Sequence, residues 1–323
     1  MKATSIAPAN LPFVKYMGRK DEVLRLPENA SLSMNLSNLL TTTTVEFSDE
    51  LEHDDILLNG EREEGEGSRG IRHLDRIRQM ARINLKARVV SKNSFPTGTG
   101  LSSSSSGFAA LTVAGAAAAE LKLSERELTI LARQGSGSAC RSIPDGFVEW
   151  KDAATDKESY AFSLYPSDYW DITDIVAIVS TAKKKIKSST AHKLVLTSPY
   201  FQTRLYGMPE KIRKCKAALK AKNFELLGEL AEKEALDLHV IFMSAGIIYL
   251  TPQSLELIKL VPEWRAEGLP VYFTLNTGQD VHLLCEKKDC DAVKEKLKNL
   301  SFVRDIIVNE PAKGARLVEG HLF

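Results

Sequence analysis

Residues 96–107 read PTGTGLSSSSSG and lie between a strand-like run, LKARVVSKNSF (85–95), and an alanine-rich run, FAALTVAGAAAAEL (108–121). No other feature of the chain limits its fold so strongly. Taken alone, five consecutive serines beside glycines have the composition of a flexible linker. The setting argues otherwise, because a linker does not directly join a strand to a strongly helical segment. Alanine is the best helix former, and Gly107 permits close packing at the helix start. Backbone N–H groups there lack intrahelical partners and carry partial positive charge, so strand, glycine-serine loop and helix together make a cradle for phosphate oxygens. Serine hydroxyls add donors and can ligate Mg²⁺. The nucleotide loop GxxxxGK[ST] is absent, so a different phosphate-binding fold is required.

Charge and cysteine content narrow the partners. Forty-three basic and forty-two acidic residues give the 323-residue chain a formal charge of +1, which argues against a large nucleic-acid footprint. A small anionic ligand can still be held by a few local Lys and Arg side chains. The four cysteines, Cys140, Cys215, Cys285 and Cys290, are too scattered for a disulfide framework, and Cys285 and Cys290 lack a second ligand pair for zinc. No signal peptide is read at the start, and no run reaches the roughly 18 apolar residues of a membrane span. The expectation is a cytoplasmic chain of two domains with no membrane contact.

Local patterns place the elements. SLSMNLSNL (31–39) and TTTTVEF (41–47) read as strands, Asn59-Gly60 as a tight turn, and EREEGEGSR (61–69) as a surface loop. Ile71, Leu74, Ile77 and Met80 recur at helical spacing. Ser124 and Glu127 have the spacing of a capping box and predict a helix from there to about Gln134. Aromatics, Asp and Pro166-Ser167 break any long element over 150–175, which predicts domains at 1–170 and 171–323. The second half opens on a buried-type strand, DIVAIVST (174–181), followed by helical patterns at 208–221, 223–243 and 252–267. A hairpin (270–276 and 281–286, turning at Thr277-Gly278), a helix at 289–299 and a strand near 302–308 complete an α+β, ferredoxin-like layer.

The loop PTGTGLSSSSSG resembles the Pro-x-x-x-Gly-Leu-x-Ser-Ser phosphate loop of the GHMP kinases. Other stretches resemble the diphosphomevalonate decarboxylase branch of that superfamily: APANLPFVKYMGRKDE (7–22), LPENASLSMNLS (26–37), TTTTV, LNGE, RQGSGSACRSIPDGFVEW (133–150), KSSTAHKLVLTSPYFQTR (187–204) and LDLH (236–239). The match runs in order along almost the whole chain. It implies an α+β GHMP kinase fold, with a ribosomal-S5-domain-2-like N-terminal domain, a ferredoxin-like C-terminal domain and an active site in the cleft between them. It also implies ATP and Mg²⁺, a homodimer, and a small phosphorylated mevalonate as substrate. In the family reaction the tertiary 3-hydroxyl is phosphorylated, then phosphate leaves with CO₂ to give an isopentenyl product.

Residue roles are carried over on the matching motifs. A lone lysine after a strand is ordinarily a solvated surface group, but Lys15 falls where the family has the cleft cation that orients the hydroxyl and stabilises developing charge. Arg141 matches the arginine that holds the mevalonyl carboxylate, a task suited to a planar two-pronged donor. Ser136, Gly137 and Ser138 lie in a glycine-loosened loop beside it and contact the phosphorylated tail, as do Tyr16 and Lys20. Arg69 or Arg72 assists, the competing reading being helix-surface charge. The nucleotide cradle takes in Asn93, Pro96, Gly98, Gly100, Ser102, Ser103, Ser104, Ser105 and Gly107, with Ser104 the contact for the γ-phosphate or Mg²⁺. His192 falls in a cleft-lining stretch, against the competing reading of a buried structural histidine that also applies to His239 and His282.

One departure falls at the centre. The family's Asp-Ala-Gly-Pro-Asn motif is LNTGQDVHLL here, which puts Asn276 at the aspartate's place. Asparagine is nearly isosteric with aspartate and can orient a hydroxyl, but it cannot serve as a general base. Asp280 and Asp145 are candidates to restore a carboxylate. Three readings stay open: an ATP-dependent decarboxylase, a sister activity on a related substrate (a 3-kinase without decarboxylation, or a decarboxylase of a monophosphate or 3,5-bisphosphate), and a catalytically silent paralogue that binds.

Overall fold

The computed structural model describes residues 1–63, 68–95, 100–182 and 184–323. Its first half runs β1 (Lys2–Val14), β2 (Arg19–Asp21), β3 (Leu26–Pro27), β4 (Ser31–Ser48), β5 (Asp55–Leu58), β6 (Glu61–Arg62), α1 (Arg69–Ala81), β7 (Lys86–Asn93), α2 (Ser103–Ala118) and α3 (Glu125–Gly135). A 3₁₀ turn at Gly137–Ser142 leads to β8 (Phe147–Trp150) and β9 (Ala161–Tyr165). The second half runs β10 (Ile172–Ile178), α4 (Ser188–Leu194), α5 (Phe201–Ala221), α6 (Phe224–Ser244), α7 (Pro252–Ala266), β11 (Val271–Leu275), β12 (Val281–Glu286), α8 (Cys290–Lys298), β13 (Asp305–Asn309) and β14 (Arg316–Leu317).

The spine of the first sheet is the antiparallel pair β1–β4. The two runs expected at 31–39 and 41–47 are one strand of 18 residues, because β4 serves two partners on the same edge. Its Ser31–Met34 end pairs with β8 and its Thr41–Ser48 end with β7. The sheet order is β14-β1-β4-β7-β5-β6, with β8 and β9 continuing off β4. Register shifts in β1 fall between Pro8 and Asn10 and between Pro12 and Val14, where the ladder meets residues without an N–H to donate. Asn59 and Gly60 both have positive φ and close the β5–β6 hairpin as the sequence predicts.

Helix α2 lies on this sheet with Ala109, Ala110 and Ala114 buried. Small side chains let the helix backbone approach closely enough for the Ser5 hydroxyl of β1 to donate to the Ala110 carbonyl at 2.7 Å. The helix begins at Ser103, earlier than the expected start beyond Gly107, so the serine run forms its first turn. Only Gly100, Leu101 and Ser102 of the preceding glycine-serine loop are described. The capping box at Ser124 and Glu127 is present at the start of α3.

The second sheet is wholly antiparallel with order β11-β12-β10-β13. Numbered within this half, that is the 4-1-3-2 order of a ferredoxin-like layer, as expected. Helix α5 starts at Phe201 instead of 208 and carries Pro209 inside it. About two turns of sequence without clear periodicity were enough to hide its beginning. Leu257, Val261, Phe273, Leu283 and Val293 pack the core between sheet and helices. Domains at 1–170 and 171–323 are kept as a proposed partition. Across it the tail returns to the first sheet, where β14 pairs with β1 and the His321 ring meets the Thr4 hydroxyl at 2.8 Å.

Candidate active site

Between the two sheets lies a cleft whose walls come from segments far apart in sequence. The end of β1, the start of α2, the 3₁₀ turn, α4 with the residues before it, and the β11–β12 turn all contribute. The halves touch at the phosphate loop, and beside that contact the second half ties its own wall together. Gly100 has φ of +117°, and a Cβ there would stand 2.7 Å from the Gly278 Cα, so phosphate loop and hairpin turn touch through backbone alone. Lys184 Nζ donates to the Thr277 carbonyl at 2.8 Å and to Ser188 Oγ at 2.9 Å, and the Ser188 and Thr277 hydroxyls are 2.6 Å apart.

Helix α2 points its N-terminus into this cleft. The N-cap residue Ser102 is left-handed, with φ of 59°, and makes no side-chain capping bond. Helices α1, α3, α6 and α7 are all closed by a side-chain oxygen, from Ser68, Ser124, Asn223 and Thr251. The first N–H groups of α2 therefore remain available to an anion. Ser102, Ser103, Ser104 and Ser105 line the cleft there. Ser105 Oγ is 2.6 Å from Ser138 Oγ, and Ser136 Oγ is 3.4 Å from Ser104 Oγ, so the serine run and the 3₁₀ turn share one hydroxyl network. The segment expected to be a loosened loop is thus a 3₁₀ turn, tightened because Gly137 must clear the Tyr16 ring: a Cβ there would stand 2.8 Å from it.

Lys15 leaves the end of β1 only 2% exposed, with Nζ donating to the Pro12 carbonyl at 2.6 Å and to Thr274 Oγ1 at 2.8 Å. Burial lowers its pKa to about 7; Glu234 opposes that shift, and Arg141 and Arg204 add to it. Glu234 is fully buried beneath it. That carboxylate accepts the Lys15 backbone N–H at 3.3 Å, Lys211 Nζ at 2.5 Å and a very close Arg204 guanidinium, which also donates to the Lys15 carbonyl. Glu234→Gln strands the Arg204 charge and should cost about 3–5 kcal/mol in urea unfolding. It should also push the Lys15 pKa lower still, since Glu234 is the larger of the two carboxylates, with Asp174, that raise it.

Arg141 is 2% exposed and donates from Nη1 to Ser31 Oγ at 2.7 Å and from Nη2 to Asn10 Oδ1 at 3.0 Å. Its Nε is buried without a partner among the described residues. Burial holds its pKa below the usual arginine value. Tyr16 is clasped between Trp150 and His192, with ring centroids at 4.5 and 4.3 Å. His192 accepts the Gly18 N–H at Nδ1 over 3.1 Å, which assigns the ring proton to Nε2. Burial first, then Arg19 and Arg25, hold it neutral. It lines the cleft while also serving as a packed structural group, so both readings offered for it describe the same side chain.

Several expected residues lie elsewhere. Lys20 is exposed, 4.0 Å from Asp152, and outside the cleft lining. The neighbouring Arg19 turns inward instead, donating from Nε to the Tyr16 hydroxyl at 2.8 Å. Asn93 ends β7 with its Oδ1 2.8 Å from the Thr41 hydroxyl, and Gly107 lies a turn along α2; neither lines the cleft. Pro96 and Gly98 fall outside the described residues. Arg69 lines the cleft, donating to the Gly135 carbonyl at 3.0 Å, whereas Arg72 is exposed and does not. Asp145 accepts the Gly314 N–H at 2.6 Å and Asp280 the Val179 N–H at 3.2 Å, and neither reaches the lining to replace the missing carboxylate. His239 donates to the Asn276 backbone carbonyl at 3.2 Å, and His282 meets the Asn276 side-chain amide nitrogen at 3.2 Å.

Arg19, Arg25, Lys184, Lys187 and Ser188 also line the cleft, though no sequence role marked them. Arg19, Lys187 and Ser188 stood inside the quoted motifs; Arg25 and Lys184 gave no local signal. Burial, with the like charges of Arg69 and Arg19, lowers Arg25 to about 10, and burial lowers Lys184 to about 8. With Lys15, Arg69 and Arg141, the lining carries many cations and, among the described residues, no carboxylate. Cations crowded and desolvated in this way favour a densely anionic ligand.

A cationic interdomain cleft around an uncapped helix start is the site of an enzyme that acts on small phosphorylated molecules. Residues 7–161 match the family described as diphosphomevalonate decarboxylase-like N-terminal domain, and residues 174–315 match the mevalonate 5-diphosphate decarboxylase C-terminal domain. The chain belongs to the diphosphomevalonate decarboxylase family, as an ATP-dependent carboxy-lyase of the mevalonate pathway. Its structure resembles mevalonate diphosphate decarboxylase from Staphylococcus aureus at a TM-score of 0.93 and 36% identity over 98% of both chains. It also resembles the Enterococcus faecalis enzyme in complex with MVAPP, AMPPCP and magnesium, at 0.92 and 34% over 99% of both. Phosphomevalonate decarboxylase from Haloferax volcanii is 33% identical over 95% of each chain. Among the described residues no helix is long and apolar enough to cross a membrane.

Proposed function

We propose that this chain decarboxylates (R)-5-diphosphomevalonate with ATP and Mg²⁺, giving isopentenyl diphosphate, ADP, phosphate and CO₂. The observation that carries the reading is the meeting of the uncapped α2 start with Lys15, Arg141 and Asn276 in one cleft. The α2 N–H groups and Ser102 to Ser105 receive the nucleotide phosphates. Arg141 holds the substrate carboxylate, its unpartnered Nε–H being free for one oxygen. Arg19, Arg25 and Arg69, with Tyr16, Ser136, Ser138 and His192, hold the phosphorylated tail. Lys15 and Asn276 face the tertiary hydroxyl as it attacks the γ-phosphate.

Among the described residues no group of three His, Cys, Asp or Glu side chains is set to hold a metal. That fits Mg²⁺, which keeps several waters and binds through substrate phosphates with one or two protein oxygens; Ser104 Oγ is the protein ligand proposed. When bound, the ion would neutralise negative charge on the nucleotide phosphates. The protein's own part is positional. Phosphoryl transfer of this kind needs alignment and electrostatic stabilisation more than a strong base, so a neutral Asn276 is compatible with turnover.

The Haloferax relative favours a second reading, with the 5-monophosphate as substrate. Purified protein with ATP·Mg²⁺ and either substrate, followed for ADP, phosphate and CO₂ separately, distinguishes the readings. ADP and CO₂ in equal amounts with the diphosphate are expected. The same products from the monophosphate alone favour the second reading; ADP without CO₂ makes the protein a 3-kinase, and no ADP from either removes the proposal. The homodimer is carried forward as part of the proposal, to be read by sedimentation.

A further inference from the structure

The histidine next to Asn276 is not alone. Asp174 in β10 lies opposite Asn309 of β13, and its side chain shares a face with His282 of β12. His282 Nδ1 is 3.0 and 3.1 Å from the two Asp174 carboxylate oxygens, and Asn309 Nδ2 donates to Asp174 Oδ2 at 3.2 Å. Asn309 is itself oriented, since its Oδ1 accepts the Asn38 N–H at 3.0 Å. All three residues are at most 1% exposed.

The proton positions follow from donor and acceptor chemistry. A carboxylate only accepts, so Nδ1 carries the ring proton, and in the neutral ring Nε2 is a bare acceptor. The group 3.2 Å from Nε2 is the Asn276 amide, which must then present its NH₂. Its carbonyl oxygen is left for the cleft, which Asn276 lines, and no group among the described residues donates to it. Reversing the ring tautomer would set the Nδ1 lone pair against a carboxylate and force the amide to turn over, offering the cleft a donor in place of an acceptor.

We infer that Asp174 and His282 are positioning residues that hold Asn276 with its carbonyl oxygen toward the cleft, as the hydrogen-bond acceptor for the attacking tertiary hydroxyl. The inference rests on the proposed role of Asn276. The Asp174–His282–Asn276 chain compensates for the missing family aspartate by orientation: the hydroxyl proton is held in line, and the oxygen lone pair is left to attack. No proton passes to the amide: as the P–O bond to the hydroxyl forms and the bond to ADP breaks, the proton goes to an oxygen of the transferred phosphoryl group. An aspartate at 276 would instead confront the bare Nε2 unless the ring took up a second proton.

Two measurements on the full-length protein test this. Two-bond ¹H–¹⁵N spectra, with the His282 signal assigned by its loss in His282→Phe, should show a neutral ring protonated on Nδ1. Asp174→Asn keeps the side-chain volume but can donate to Nδ1, so the proton should move to Nε2. In that variant kcat should fall about 10²-fold with both KM values within about 3-fold, a split that general loss of structure would not give. A wild-type ring protonated on Nε2 or on both nitrogens overturns the inference, even if Asp174→Asn does not fold. So does an Asp174→Asn enzyme with wild-type kcat. If the tautomer is as expected but Asn276→Ala retains full turnover, the role given to Asn276 fails, and the positioning inference fails with it.

Discussion

Lys15→Met should lower kcat by roughly 10²- to 10³-fold, the loss found when one preorganised donor is taken from a developing anion. The wild-type enzyme should also lose kcat/KM as pH rises through about 7, the value to which burial lowers Lys15. The sign follows from the role. A cation that stabilises charge on the attacking oxygen and the phosphoryl group is present below its pKa and absent above it. Because kcat/KM reports the free enzyme, the relevant pKa is that of the empty cleft; bound polyphosphate raises it and moves the kcat limb to higher pH. A rise in kcat/KM through the same range would make Lys15 the proton acceptor that Asn276 cannot be. The Lys15→Met profile should lack this limb entirely.

Arg141→Lys should raise KM for the mevalonate substrate about 100-fold and leave KM for ATP close to wild type. Removing one hydrogen-bonding partner of a buried charge pair costs about 2–5 kcal/mol, and about 3 kcal/mol corresponds to that factor. Lysine keeps the charge but not the fork. Two arms of the guanidinium are already committed to Ser31 and Asn10, which aim the group. An ammonium cannot satisfy those acceptors and a carboxylate together in the same plane. Steady-state kinetics with each substrate varied in turn provides the check, and a thermal melt of the variant separates lost aim from lost fold. Equal rises in both KM values would mean that Arg141 shapes the cleft as a whole.

The parts of this site that could be read from the chain are those written in contiguous residues. The alanine-rich helix, the capping box at Ser124 and the Asn59-Gly60 turn depend on local backbone preferences and form where those preferences act, although the helix takes in the serine run as its first turn. The long-range partners could not be read in the same way. Of two adjacent basic residues, Lys20 was the one expected in the cleft, yet Arg19 is the one that faces it, because the Tyr16 hydroxyl captures its Nε. Nothing in the order of letters distinguishes the two. Lys184 lies in a lysine-rich run that carries no local mark of a site, and it becomes a cleft residue only when the β11–β12 turn supplies the Thr277 carbonyl, 93 positions away.

What the sequence determined by itself was the family frame: a phosphate cradle between strand and helix, a ferredoxin-like second layer, and an asparagine where an aspartate is expected. Such features rest on short-range sterics and on motif identity, which a linear chain carries. The tertiary structure alone decided what those residues can do. Burial makes Lys15 titrate near neutrality, and crowding removes solvent from Arg25 and Arg141. The pairing register sets Asp174 beside His282 across 108 positions and thereby turns the Asn276 amide. Charge state and hydrogen-bond direction depend on solvent exclusion and on the neighbours in space, and both come into being only when the two sheets close on the cleft.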